Sequence, residues 1–166
     1  MDDTLKVINQ MREEGILREY AIGGAMALLF YAEAFVTYDL DIFCILPDTG
    51  SSLVSLAPLY EWLKARGYRE DKEHMLIEDI PVQFIPAYNS LVREAVTSAQ
   101  ERTFKGVPVR VVQIEHLVAL MLQTGRTRDR ERLERLREEI DIDESKLLPI
   151  LERHGLINAW PRKGGT

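Results

Sequence analysis

The stretch from Glu19 to Phe43 constrains the fold of this chain more than any other. Glu19-Tyr20-Ala21-Ile22 is a short apolar run that ends on Gly23-Gly24. The next eight residues, Ala25 to Ala32, carry no charge and are rich in good helix formers, which predicts a helix buried on most sides. From Thr37 the period changes to two. Asp39, Asp41 and Phe43 alternate with Leu40, Ile42 and Cys44, and Ile45-Leu46 complete a strand before the turn at Pro47-Asp48-Thr49-Gly50. The local order is therefore strand, double glycine, buried helix, strand.

That order places two kinds of chemistry side by side. Carboxylates two residues apart on a strand share a face, about 6.5 Å apart at the Cα atoms. Such a pair can converge on one or two divalent cations, and a hard cation such as Mg²⁺ takes oxygen ligands while leaving positions for substrate phosphates. The same pair also suits the polar face of a half-exposed strand, although aspartate is depleted in strands. A double glycine ahead of a helix offers backbone N–H groups at the positive end of the helix dipole, where a phosphate can sit. Its other reading is a tight strand-to-helix turn that needs positive φ. A phosphate seat and a metal seat within one short unit are more specific than either alone.

The remainder predicts a mixed sheet with helices, an α+β fold (α/β mixed) with a C-terminal helical lobe. A helix is expected over Asp3 to Glu14, stopped by Gly15, and another from Ser51 or Ser52 to about Arg66, ended by Gly67. Strands around residues 75–77 and 82–85 flank a turn at Glu78-Asp79-Ile80-Pro81 and predict a hairpin. A short helix follows over residues 91–98. Phe104 to Pro108 reads as a turn leading into the β-branched run Val109 to Val112. Helices are expected over residues 114–123, 128–140 and 145–154. The expected organisation is a single domain over residues 1–160, with a sheet core over about 1–112 and C-terminal helices over about 113–158. Residues 161–166 are expected to form a flexible tail.

Composition narrows the function classes. With 21 basic and 27 acidic residues the net charge is −6, which argues against broad electrostatic binding to DNA and leaves room for a local basic groove. The one cysteine, Cys44, excludes an internal disulfide framework and fits a reducing, cytoplasmic setting. The longest uncharged run, Tyr20 to Ala32, is too short to span a membrane. His74, His116 and His154 lack metal-ligand spacing and are assigned no role. The arginine-rich segment over residues 126–137 reads from Arg132 onward as a solvated helix face. Arg126 and Arg128, beside Gly125, are the better candidates for contacts with a triphosphate or an RNA backbone.

Ile22-Gly23-Gly24-Ala25-Met26-Ala27 followed by Thr37-Tyr38-Asp39-Leu40-Asp41-Ile42 resembles the signature of the nucleotidyltransferase superfamily, the polymerase-beta-like fold. It is most similar to the small bacterial type related to abortive-infection toxins and minimal nucleotidyltransferases. The resemblance implies that Gly23 and Gly24 hold the nucleotide's phosphates. It implies that Asp39 and Asp41 bind Mg²⁺ (or Mn²⁺) bridging to the triphosphate. It places a third carboxylate in the run Val82-Gln83-Phe84-Ile85-Pro86, at the position of Gln83, where glutamine supplies a carbonyl oxygen but no general base. The family's arginine ahead of the aspartates would stand at Phe35, and its helix lysine near Met121; Gly125-Arg126-Thr127-Arg128-Asp129 resembles the basic-and-aspartate segment that follows.

The expected activity is transfer of a nucleoside monophosphate from a nucleoside triphosphate to a hydroxyl on a protein, RNA or small molecule. Gln83, Phe35 and Met121 motivate an alternative, a catalytically silent nucleotide-binding or protein-interaction module with a cognate protein partner. A third reading is an antitoxin-like structural partner in which Asp39 and Asp41 are only a solvated strand face.

Overall fold

The computed structural model describes residues 1–33 and 35–161. Helix α1, Asp2–Glu13, buries Leu5, Ile8 and Met11 along one face. Thr4 on the same face donates to the Ile77 carbonyl at 3.0 Å. The apolar run becomes β1, Glu19–Gly23, and α2, Gly24–Leu28, follows directly. Then come β2, Leu40–Ile45; α3, Ala57–Lys64; β3, Arg69–Asp71; β4, His74–Ile77; and β5, Ile80–Pro86. Helix α4, Ser90–Thr97, precedes the pair β6, Gln100–Phe104, and β7, Val107–Val111. Helices α5, Ile114–Thr124, α6, Thr127–Glu139, and α7, Glu144–Arg153, end in a 3₁₀ turn at Ile157–Ala159.

Among the described residues seven strands form one mixed sheet in the order β3-β4-β5-β2-β1-β7-β6, so the fold class is α+β as the sequence predicts. β2 lies antiparallel to β1 and parallel to β5, which puts the two aspartate-bearing and glycine-bearing strands at the centre. The register aligns Gly23 with Asp41, and Asp41 with Gln83. Leu40, Ile42 and Cys44 on β2 are buried in the main core, while Asp41 and Phe43 face the opposite side. Burial pushes the Cys44 thiol up to about 12, so it packs as a small apolar group.

Several boundaries differ from the sequence expectations, each for a local reason. The helix after Gly23-Gly24 ends at Leu28 and tightens into i→i+3 bonds, from Leu29 N–H to Met26 and from Phe30 N–H to Ala27. Phe30 and Tyr31 are held elsewhere: Phe30 packs against Phe104, and Tyr31 Oη donates to Val112 at 2.8 Å. The aspartate strand begins at Leu40 rather than Thr37, because Thr37 Oγ1 turns back onto Asp39 Oδ1 at 2.6 Å and bends the chain. The helix expected from Ser51 begins at Ala57. An earlier start would put Pro58 in the helix interior and remove a backbone hydrogen bond, whereas at the first turn that N–H is unused.

β3 and β6 were not legible as strands; both are short edge strands with exposed, charged side chains. Phe104 to Pro108 is a hairpin turn, as read, but tighter: Lys105 and Gly106 both take positive φ, and Pro108 is already in β7. Pro108 pairs with Thr103, and the β1 partner of β7 reaches only Val111, so no ladder bond is lost on that side. The Glu78-Asp79 turn closes the β4–β5 hairpin, again with both residues at positive φ. Trp160 is buried, with Arg137 stacked on its ring, and covers the core. Of the expected tail, residues 162–166 lie outside the described residues.

A polar cluster ties the end of α7 to α4 and α5. Glu94 on α4 lies 2.9 Å from His116 Nε2, 3.3 Å from His154 Nε2, and accepts from Arg153 Nε at 3.0 Å. Burial pushes the Glu94 carboxyl up, but hydrogen bonds from the two imidazoles and Arg153 outweigh it and hold the group below its ordinary range. A lowered carboxyl contributes stability above its unfolded pKa and loses it as pH falls through the folded value. Glu94→Ala is expected to cost about 1–3 kcal/mol near neutral pH, since it leaves the buried His116 ring without its partner. Urea unfolding at neutral and acid pH checks this: the difference from wild type should shrink on acidification.

Candidate functional site

A cleft of about 220 Å³ opens on the face of β2 that carries Asp41 and Phe43. Gly24, Asp39, Asp41 and Gln83 line one side, and Arg126, Arg128, Asp129 and Arg132 line the other. Met121 and Leu117 from α5 form an apolar floor, and Tyr88, 62% exposed, stands at the mouth. The structure therefore brings together nearly all the residues singled out in the sequence. Asp39 is not on the strand, but its position one residue before β2 still presents it to the same cleft as Asp41.

The double glycine divides its roles. Gly24 takes φ +57°, and a Cβ there would lie 2.1 Å from Asp41 Oδ2, so the carboxylate rests directly on the glycine backbone. Gly23 has an ordinary φ of −118°, but a Cβ there would lie 1.9 Å from the Phe43 ring. Gly24 faces the cleft; Gly23 is required by packing against the neighbouring strand. Sequence reasoning treated the pair as one phosphate seat, and the structure places only Gly24 on the cleft wall.

The acidic side is electrostatically unbalanced. Burial, and then the neighbouring Asp39, push the Asp41 carboxyl above its usual range, against the pull of His74, Arg132 and Arg126. Asp39 is held by Thr37 through Oδ1, while Oδ2 lies 3.8 Å from His74 Nε2. Gln83 stands beside Asp41 on β5 and adds an amide to the same wall. Two carboxylates and an amide oxygen form a hard donor set that fits Mg²⁺ or Mn²⁺, which bind through one or two carboxylates and complete their shells with water and phosphate. Among the described residues no group of three or more His, Cys, Asp or Glu side chains could hold a metal by itself.

The basic side contains the residues that sequence reasoning missed. Asp129 is 3% exposed, accepts from Thr124 Oγ1 and Arg126 Nε, each at 2.7 Å, and lies 3.6 Å from Arg132 Nη1. Burial pushes Asp129 up, but these partners outweigh it and hold it below the carboxylate range. It thereby fixes two guanidinium groups against the cleft. Arg126 is the residue just before α6 and Arg128 lies in its first turn, so neither is in a free loop. Arg132, read in the sequence as part of a solvated face, turns inward, with its side chain only 25% exposed. The available signal was the i,i+3 spacing of Asp129 and Arg132 next to the helix start. Phe35 and Met121, where the sequence resemblance implies an arginine and a lysine, are both buried.

No family model matches the sequence, and no curated protein matches it. Solved structures do resemble the fold. An antigenic nucleotidyltransferase-like protein from Paracoccidioides brasiliensis aligns with a TM-score of 0.48 at 15% identity, over 74% of this chain and 66% of that one. ANT(2'')-Ia, in complex with adenylyl-2''-tobramycin, aligns with a TM-score of 0.43 at 18% identity, over 73% of this chain and 75% of that one. The solution structure of ANT(2'')-Ia, an antibiotic-resistance factor, gives 0.45 at 19% identity, over 93% of this chain and 98% of that one. No helix among the described residues is long and apolar enough to cross a membrane.

Proposed function

We propose that the cleft binds a nucleoside triphosphate with Mg²⁺ or Mn²⁺ and transfers its nucleoside monophosphate to a hydroxyl acceptor. The observation that carries this reading is the convergence of Asp39, Asp41 and Gln83 on one wall with Arg126, Arg128 and Arg132 on the other. Carboxylates alone would repel a polyanion, and arginines alone would not activate one.

When bound, a divalent cation would neutralise charge that builds up as pyrophosphate leaves. The residues of the chain do the rest. Asp39 and Asp41 would hold the cation, Gly24 lets the Asp41 carboxylate approach the backbone, and the arginines would orient the triphosphate through guanidinium–phosphate hydrogen bonds. The acceptor oxygen forms a bond to the α-phosphorus. The bond from that phosphorus to the oxygen bridging the β-phosphate breaks, and pyrophosphate departs with the electron pair. The acceptor's proton passes to water, because Gln83 has no lone pair basic enough to take it. Absence of a base at position 83 favours slow transfer, and in the limit a module that binds nucleotide without turning it over.

The double variant Asp39→Asn with Asp41→Asn tests the reading. It removes two charges while keeping shape, so Mg²⁺-dependent binding of a non-hydrolysable triphosphate, measured by calorimetry, should be lost. The metal-free fold should gain about 1 kcal/mol from relief of the repulsion between the half-exposed Asp39 and the half-buried Asp41, a typical size for a stabilising substitution at a functional site. Unchanged Mg²⁺-dependent binding overturns the proposal and leaves the aspartates as a strand face.

A further inference from the structure

The cleft changes character along β5. Gln83 and Ile85 stand two positions apart on that strand, about 6.5 Å at the Cα atoms, and both line the cleft beside Asp41 and Phe43 of β2. Tyr88 follows the end of β5 and lies within about 17 Å of Gln83, the reach of five extended residues. Its backbone is pinned on both sides. Ala87 N–H donates to the Cys44 carbonyl at 2.9 Å, and Asn89 caps α4 by accepting from Val92 N–H at 2.9 Å. Asn89 Nδ2 also donates to Gln123 Oε1 of α5 at 2.9 Å. The Tyr88 side chain is nevertheless 62% exposed, and among the described residues no hydrogen bond or ion pair engages its hydroxyl. The cleft thus carries an aromatic ring, fixed at its root and bare on its face, together with the apolar side chains of Ile85, Leu117, Leu120 and Met121.

Metal and phosphates give a role to Asp39, Asp41, Gln83 and the arginines, but none to Tyr88. We infer that the Tyr88 ring stacks on the nucleobase of the bound triphosphate and that the site recognises the base by its flat face rather than by its edge. The inference rests on the nucleotidyl-transfer reading and deepens it. Stacking on an aromatic ring tolerates every base, because every base has a π face. Discriminating one base from another by its edge needs hydrogen-bonding groups free to meet it. The polar side chains away from the two aspartates are already committed: Thr124 donates to Asp129 at 2.7 Å, and Asp129 also accepts from Arg126 at 2.7 Å. The base-facing part of the cleft is left with the tyrosine and aliphatic side chains. Such a site ranks bases by ring area, purines above pyrimidines, and separates adenine from guanine poorly.

The test is a set of calorimetric titrations of the full chain in Mg²⁺ with non-hydrolysable analogues of ATP, GTP and CTP, and with inorganic tripolyphosphate as the probe that has no base. Wild type should bind the ATP and GTP analogues within about threefold of each other and both more tightly than the CTP analogue. Tyr88→Ala should weaken the purine analogues about tenfold, the scale of one base–aromatic stack, and leave tripolyphosphate within about twofold. Tyr88→Phe keeps the ring and should restore purine binding. The side chain is exposed and engages no partner, so both variants should fold as wild type does. Unchanged purine affinity in Tyr88→Ala overturns the inference, as does an equal loss for tripolyphosphate or a Tyr88→Phe variant as weak as Tyr88→Ala. A wild-type preference of about tenfold or more between the ATP and GTP analogues overturns the claim that the edge goes unread. In each of those cases Mg²⁺-dependent binding to wild type persists and the nucleotide reading stands. Absence of Mg²⁺-dependent binding of every probe to wild type overturns that reading and the inference with it.

Discussion

Gly24→Ala is expected to abolish Mg²⁺-dependent triphosphate binding and to destabilise the fold by about 3 kcal/mol. Placing an L-residue at φ +57° costs about 1–2 kcal/mol, and forcing a methyl into an occupied space costs a further 1–3 kcal/mol. The occupied space is the Asp41 carboxylate, 2.1 Å from the new carbon. Relief requires Asp41 to leave its seat, so the strain falls on the group that holds the cation. Gly50→Ala provides the control: its φ is +73° with nothing within 4 Å of the added carbon, so it should carry the backbone cost alone and leave binding intact. Calorimetric triphosphate titrations and urea unfolding of both variants check the pair of outcomes. Equal effects from the two substitutions would show that the Gly24–Asp41 contact has no functional weight.

The opposite change, a gain, is expected from Gln83→Asp. Position 83 is the register neighbour of Asp41, and both side chains line the cleft. A carboxylate there supplies the proton acceptor that glutamine cannot, and general-base catalysis contributes about 10²–10⁴-fold. With water as acceptor, pyrophosphate release should therefore rise by about 10²-fold, even without the natural acceptor. The metal-free variant should also be less stable than wild type, because a third carboxylate joins a pair whose inner member is already pushed up. A variant that binds Mg²⁺ and triphosphate normally with no gain in release would place the proton transfer elsewhere than position 83.

Sequence periodicity carried the centre of the fold because the central strands are constrained on both sides. Asp41 and Phe43 alternate with Leu40, Ile42 and Cys44, and a one-residue slip would bury the charges and expose the core. The edge strands β3 and β6 have no such constraint: Arg-Glu-Asp at one edge and Gln-Glu-Arg-Thr at the other read as polar loop until a partner strand is seen. The start of α3 was misplaced because Ser51 and Ser52 resemble helix caps, whereas Pro58 dictates where the helix can begin. The acidic half of the site was legible because its residues are close in sequence. Its basic half depends on α6 folding back across the sheet, which brings Asp129 and Arg132 to Asp41 from far along the chain. The i,i+3 spacing shows that those two residues pair, but not which way the pair faces.

The most direct measurement is a crystal structure of the protein with Mn²⁺ and a non-hydrolysable triphosphate, using anomalous scattering to locate the metal. The account predicts an anomalous peak between Asp39 and Asp41, with Gln83 beside it and the phosphates lying towards Arg126 and Arg128. A triphosphate bound with no metal at the two aspartates, or a metal and nucleotide bound elsewhere on the surface, would contradict it.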